Sequence, residues 1–328
     1  MNGGKPSLRI LSKERRLMKT LQAFHSKLGV LLLLGLLTGA SSANAVIALN
    51  VNSLTVFESL EMTSANIQGP VAAGGDLTGS ATLVTSNGFT SAYTVQVAGN
   101  INTTDVEVQN GSLLYGGAFD RTGLNDNQLD NFYQGDQSAM TSLIDSYKAD
   151  ALAASVAYGN LTASANASFS TANNALSLNL AEGDDYGIIH LSLTDLSGLS
   201  SMTYNLSGTG ALIINVAGDT VDIKSGINFT GWTDSEISRV LWNFYEAESL
   251  TISSSFRGSI LAPNAELTTN AEIAGGVVVE SAIINNAINL PNFDGSLSLP
   301  AIPEASHYAL LTGMSMLLLA FGRRRQMR

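Results

Sequence analysis

The chain has 328 residues, 45% of them hydrophobic, which is enough to bury a core and excludes wholesale disorder. Its net charge is −11, and between residues 46 and 302 five basic residues (Arg121, Lys148, Lys224, Arg239 and Arg257) stand against 25 acidic ones, a balance that repels phosphate backbones and excludes nucleic acid as a partner. There is no cysteine, so disulfides, thiolate zinc sites and cysteine nucleophiles are excluded together, whereas export is not, because a domain of this size does not need disulfides.

From Met18 the chain reads MKTLQAFHSKLGVLLLLGLLTGASSANA. Lys19 and Lys27 precede an apolar run from Leu28 to Leu37, and Ala43-Asn44-Ala45 closes the segment. This order predicts a secretory signal peptide over residues 1–45, cut after Ala45, with residues 1–17 an extension ahead of a start at Met18. The apolar run is shorter than the roughly 18 residues of a retained membrane anchor.

From Ala48 to about Phe119 short β-prone runs alternate with Gly and Asn. VAAGGDL (Val71–Leu77), VQVAGNI (Val95–Ile101) and LLYGGAF (Leu113–Phe119) echo one another, with Gly75, Gly99 and Gly117 in equivalent places. An irregular period near twenty residues predicts coils of a β-solenoid, each built of short strands and turns. A hairpin sandwich would show more two-residue turns and cleaner alternation.

Between residues 127 and 158, Leu129, Phe132, Tyr133, Met140, Leu143, Ile144, Tyr147, Ala151 and Leu152 recur at helical steps. They predict one long helix flanking the strands, with Asp126 as its N-cap and Gly159 as its stop. After a polar stretch, strand signals resume through ALSLNL, YGIIHLSL, ALIINVAGDTVDI and LTISSSF, then GSILAPNAELTT and GGVVVESAII. These runs are continuous aliphatics more than alternating ones, as expected of strands buried on both sides. The fold class predicted is therefore mainly β, an irregular solenoid over residues 46–299 with one long flanking helix.

Residues 300–328 form a tail. Tyr308–Phe321 is apolar and is followed by Arg323, Arg324 and Arg325. Fourteen residues rise about 21 Å as a helix, short of the roughly 30 Å hydrocarbon core. The adjoining arginines favour the cytoplasmic side. Pro303-Glu304, a short spacer, the apolar helix and the arginine cluster together resemble the PEP-CTERM sorting signal of Gram-negative bacteria. That resemblance implies an exosortase-type processing enzyme as a partner and a transient hold on the inner membrane. Ala305 stands where the family has a second proline.

The stretch VLWNFYEAESLTISSSFRGSILAPNAEL, Val240–Leu267, resembles the choice-of-anchor A family, whose members share one exported domain with various anchoring tails. Trp242, Asn243, Phe244 and Glu246, and Ala262, Pro263 and Asn264, fall in its best-marked segments. The resemblance implies a cell-surface or matrix protein that adheres to extracellular polysaccharide or another surface, without an established activity. The order of coils, helix and further coils is also similar to bacterial ice-binding β-solenoids.

Catalytic groups are sparse. His190 is the one histidine between residues 46 and 302, it lies in an aliphatic strand, and no G-x-S-x-G occurs, so a Ser-His-Asp hydrolase is rejected. The carboxylates Asp184-Asp185, Asp219/Asp222 and Glu246/Glu248 lack the D-x-D-x-D-G loop of a calcium hand. No cofactor is expected, with surface calcium left open. A polysaccharide-active enzyme is the enzymatic alternative, although five scattered bases make a poor groove for acidic sugar. Trp242 and Phe244 should share one side of a strand and Asn243 and Tyr245 the other. The plain reading of this set is an aromatic plug in the core plus an Asn that satisfies backbone. An ice-binding face would need regularly spaced threonines, and Thr103-Thr104 and Thr268-Thr269 are irregular.

Overall fold

The computed structural model describes residues 44–294, apart from 90, 126–130, 184 and 231. They form a three-faced β-solenoid whose chain does not run from end to end. On the first face ten parallel strands stack. They are Asn131–Gln134, Ser112–Tyr115, Val95–Val97, Val71–Ala73 and Leu54–Val56, then the first parts of Val277–Ile284 and Ser259–Thr269, then Val240–Asn243, Ala211–Val216 and Tyr186–Leu191. The N-terminal coils thus climb from the middle to one end, and the C-terminal coils descend from the other end to meet them. Leu54 lies opposite Val277 at the seam.

Helix α2, Gln137–Gly159, connects the two ends. Its 23 residues span about 35 Å at 1.5 Å per residue. Asp136 caps it, its carboxylate accepting from the Ala139 N–H at 2.8 Å. The helix begins later than the sequence suggests. Residues 131–134 are extended because NFYQ pairs in register with SLLY of the preceding coil, and ladder bonds outweigh the apparent helical spacing of Phe132 and Tyr133. Asp126 and Leu129 lie outside the described residues. At the other end the helix stops at Gly159 with Asn160 as its C-cap.

The α2 placement explains the first-face composition. Alternate residues of these strands point into the solenoid, where Ile260, Trp242 and Ile214 join the main core. The intervening residues Ala72, Val278, Leu261, Leu241, Ile213 and Ile188 point outward, into a second core with Ile144, Ala151, Ala154 and Tyr158 of α2. Burial on both sides requires the near-continuous aliphatic runs. Helix α1, Asn44–Val51, adds Ala48 and Leu49 to the same layer, together with Phe293.

The other two faces alternate. Leu60–Ile67 and Ile101–Val108 bury every inward residue and expose most of the rest. Several long strands serve two faces and bend between them at register shifts, as at Met62/Ala65 and Ala262/Glu266. At the far end a four-stranded sheet, Ala167–Ala172, Ala175–Leu180, Ser201–Leu206 and Asn228–Thr230, closes the third face. The echoing glycines stack where the first face turns into the second. A Cβ on Gly99 would lie 2.4 Å from the Gly75 carbonyl carbon, and one on Gly117 2.5 Å from the Gly99 oxygen, so only glycine allows the coils to close at this corner.

The seam carries its own ties. Lys148 of α2 reaches Glu280 on the last coil at 2.7 Å and Glu58 on the first at 3.7 Å. Burial pulls the Lys148 ammonium toward neutrality, but the hydrogen bond and charge of Glu280 and the charge of Glu58 outweigh it, and its pKa lies above the ordinary value. Ser53 Oγ donates to Asn292 Oδ1 at 2.8 Å, which draws the two ends of the described chain together.

Candidate functional site

The segment Val240–Ala247 is placed by the strand Val240–Asn243 and the turn after it, and its side chains do alternate. Trp242 and Phe244 point inward, stacked with ring centroids 6.2 Å apart, and Trp242 also packs against Phe256 at 5.3 Å. Trp242 Nε1–H donates to Tyr204 Oη at 2.7 Å, and that hydroxyl donates to the Arg257 carbonyl at 2.9 Å. The indole is thus fully buried with its one donor satisfied.

Asn243 points the other way, into the interface with α2. Its amide donates to Asn215 Oδ1 at 2.7 Å and to the Ser155 carbonyl at 2.8 Å, and its Oδ1 accepts from Ser155 Oγ at 2.7 Å. Asn215, one coil away, donates to the Tyr158 carbonyl at 2.8 Å. Both asparagines are completely buried. They clamp the last turns of the helix onto two successive coils, a closed polar network inside an apolar layer. Tyr245 lies over Gly159, where a Cβ would meet its ring at 2.8 Å.

Glu246 is exposed and braces a corner, one carboxylate oxygen accepting from the Gly218 N–H at 2.9 Å. Ala262 and Pro263 are buried and Asn264 is exposed. They sit at the bend of the strand Ser259–Thr269, between two faces of one coil, rather than in a turn between coils. Proline fits there because the register shift frees it from the ladder. Ala45 falls within α1, while Ala43, Pro303, Glu304, Arg323, Arg324 and Arg325 lie outside the described residues. Among the described residues no helix is long and apolar enough to cross a membrane.

His190 Nε2–H donates to the Leu161 carbonyl at 2.7 Å, at the end of the first face. Among the described residues no three His, Asp or Glu side chains converge as a metal site would require. Four of the five basic side chains are held. Lys148 is bound as above, Lys224 pairs with Asp222, Arg257 with Glu272, and Arg239 donates to the carbonyls of Ser235, Gly208 and Gly210.

Two buried tyrosines make the fold sensitive to alkali. Burial holds the Tyr158 and Tyr204 hydroxyls protonated above the usual tyrosine range, the Trp242 hydrogen bond opposing this in part at Tyr204. Because both folded-state values are raised, the stabilisation is complete below the ordinary pKa of 10.0 and is lost as pH rises beyond it. Alkaline titration followed by circular dichroism is expected to show stability falling only above that point, and Tyr158→Phe to reduce the slope.

The second face is available for contact. Its outward positions fall into register across the seam as Asp222, Thr251, Thr268, Ile283, Glu61, Thr78, Asn102 and Asp120, one from each coil. Hydroxyls, amides and carboxylates at the spacing of parallel strands, about 4.8 Å, give a stiff polar surface. The sequence motif and this surface are separate. The motif residues hold the helix and core, whereas the face is assembled by coil register, and of its residues only Asp222 and Thr268 stand out in the sequence.

No curated protein matches the chain. Among solved structures it is similar to an ice-binding protein from the Antarctic ascomycete Antarctomyces psychrotrophicus, with 14% identity over 76% of this chain and 97% of that one and a TM-score of 0.28. It is likewise similar to a glycosylated ice-binding protein from an Arctic yeast, with 11% identity over 79% of this chain and 98% of that one and a TM-score of 0.34. The family described as "Putative Ice-binding-like adhesive domain" matches residues 49–290, nearly the whole of the solenoid. The chain belongs to this family of ice-binding-like adhesive domains.

Proposed function

We propose that the chain is an exported, non-enzymatic protein of the cell surface or extracellular matrix that acts by adhesion through the second face of its solenoid. Membership in a family of adhesive domains and the in-register polar column from Asp222 to Asp120 carry this reading. The first face is covered by α2 and takes no part. The signal peptide, with Ala43 and Ala45 at its cut, brings the chain across the inner membrane. The tail, with Pro303, Glu304 and the arginines, holds it there until an exosortase-type enzyme processes it. The partner is extracellular polysaccharide or another surface, and contact is multivalent, one coil after another.

Replacing Thr251 and Thr268, neighbours on adjacent coils, with tyrosine roughens the face without touching the core. Cells carrying this double variant are expected to attach less than wild type, with the thermal unfolding midpoint unchanged. Undiminished attachment would rule out this face. Ice binding is the second reading, favoured by the family description. The column is interrupted by Glu61 and Ile283, however, and a lattice of bound water requires regular spacing. The purified protein is therefore expected to show no thermal hysteresis, and a measurable gap between freezing and melting would establish the second reading instead.

A further inference from the structure

The four-stranded sheet at the far end carries no charge. Residues 151–181 hold no Asp, Glu, Lys, Arg or His, and neither do the strands Ser201–Leu206 and Asn228–Thr230, in a domain with 25 acidic residues against five basic ones. Its outermost strand is Ala167–Ala172, which among the described residues pairs with Ala175–Leu180 alone. The hairpin turns at Asn173 and Asn174, whose φ values of 50° and 61° fit a two-residue type I′ turn. Such a turn makes Ala172 and Ala175 a hydrogen-bonded pair, and the bond from the Ala181 N–H to the Asn166 carbonyl at 2.8 Å keeps the same phase at the other end. The even-numbered residues therefore spend their backbone groups on the hairpin. Phe169 and Thr171 turn theirs to the open edge.

Natural sheet edges are blunted by charge, proline or a bulge. This one has none of the three, since its ladder runs without a register shift and Ser168–Ala172 are all exposed. Phe169 stands opposite the buried Leu178 on the inward side, yet is 37% exposed. The neighbouring edge, along the last strand of the first face, is treated differently, because residues 161–166 take up its open groups. Ser164 exchanges bonds with Ile188 at 3.1 and 3.0 Å, and Asn166 Nδ2 donates to the Tyr186 carbonyl at 3.2 Å. One edge at this end is sealed and the other is open.

The occupant that fits is a second copy of this chain. Two such edges can meet antiparallel about a two-fold axis through Ser170, which sets Phe169 opposite Thr171 and Ser168 opposite Ala172 of the second copy. Inward side chains then meet inward ones, and the open groups of Phe169 and Thr171 complete about four hydrogen bonds. A two-fold contact brings residues near the axis close to their own copies, so a carboxylate here would face its like. The missing charge removes that repulsion in an otherwise acidic molecule, and it leaves a charged partner nothing to pair with.

We infer that two copies of the chain join edge to edge through Ala167–Ala172, so that their four-stranded sheets become one continuous sheet. The contact stands apart from the adhesive reading, and each joined pair would present two second faces to a surface. A single strand pair is smaller than the about 1,000 Å² of a stable complex, so the pair forms at high concentration and dissociates on dilution. The chain has no cysteine, so one introduced thiol reports the contact. Residues opposed at a non-hydrogen-bonded position lie about 4.5 Å apart between Cα atoms, within disulfide reach. The full chain, purified in mild detergent, is made as Ser170→Cys and as Ser168→Cys and oxidised in air with copper phenanthroline. Ser170→Cys is expected to give a covalent dimer, and Ser168→Cys about tenfold less or none, because its own copy lies about 13 Å along the strand. Both positions are exposed on the outer side of the sheet, so random collision would link them equally. Sedimentation of the cysteine-free chain at rising concentration is expected to show a dimer, which Ser168→Lys with Ser170→Lys abolishes while the unfolding midpoint stays unchanged. Equal cross-linking at both positions, no dimer from Ser170→Cys, a chain that stays monomeric throughout, or association that survives the lysines would each overturn the contact.

Discussion

Asn243→Leu is expected to lower the stability of the folded domain by about 3–4 kcal/mol, near the upper end for a single substitution. The side chains are similar in size, so the loss does not come from a cavity. It comes from leaving Asn215 Oδ1, the Ser155 carbonyl and Ser155 Oγ in an apolar layer without their partner. Equilibrium denaturation measures the cost, and for a domain of this size the melting temperature should fall by about 10 °C. Because Asn215 shares a hydrogen bond with Asn243, adding Asn215→Leu should cost less than its effect alone. Additive losses would mean that the two do not act as one clamp. Hydrogen exchange should locate the damage in the last turns of α2, whose carbonyls the clamp engages.

Trp242→Ala is expected to cost about 4 kcal/mol by a different route. The indole fills the centre of the solenoid between Phe244 and Phe256, and alanine leaves a void that stacked coils cannot close without shifting register. Trp242→Phe keeps most of the packing but removes the donor to Tyr204, and should cost about 1–2 kcal/mol. Chemical denaturation distinguishes the two, and equal losses from Ala and Phe would show that the hydrogen bond matters more than the volume.

The two effects explain why the stretch around Trp242 is the most conspicuous in the chain. One strand must satisfy the core with its even-numbered side chains and hold a helix with its odd-numbered ones. That alternation was legible in LWNFY, as the coils were in the recurring glycines and in runs such as ALIINV, whose nearly continuous aliphatic character signals burial on both sides. The partner of Asn243 also left a trace: Asn215 in IINV occupies the same place in the preceding aliphatic run, and aligning the two runs would have paired them. The seam left none. Leu54 and Val277 are brought together by the path of the whole chain, and pairing between remote parallel strands has no local signature.

The helix start was misread for a related reason. Phe132, Tyr133 and Met140 fit a helical stripe, but whether NFYQ extends depends on a neighbouring coil offering SLLY as a template. The contact surfaces were the least legible. Thr251 and Thr268 lie one coil apart on the second face, yet only the register reveals that pairing. Export and tail processing rest on residues at the two ends, which lie outside the described solenoid, and adhesion on the family and the polar face.

The most direct test of adhesion is to delete the gene and measure attachment and biofilm mass. Attachment should fall and be restored by the wild-type chain, but not by the variant with Thr251 and Thr268 replaced by tyrosine. Attachment and biofilm that are unchanged by the deletion would contradict an adhesive role.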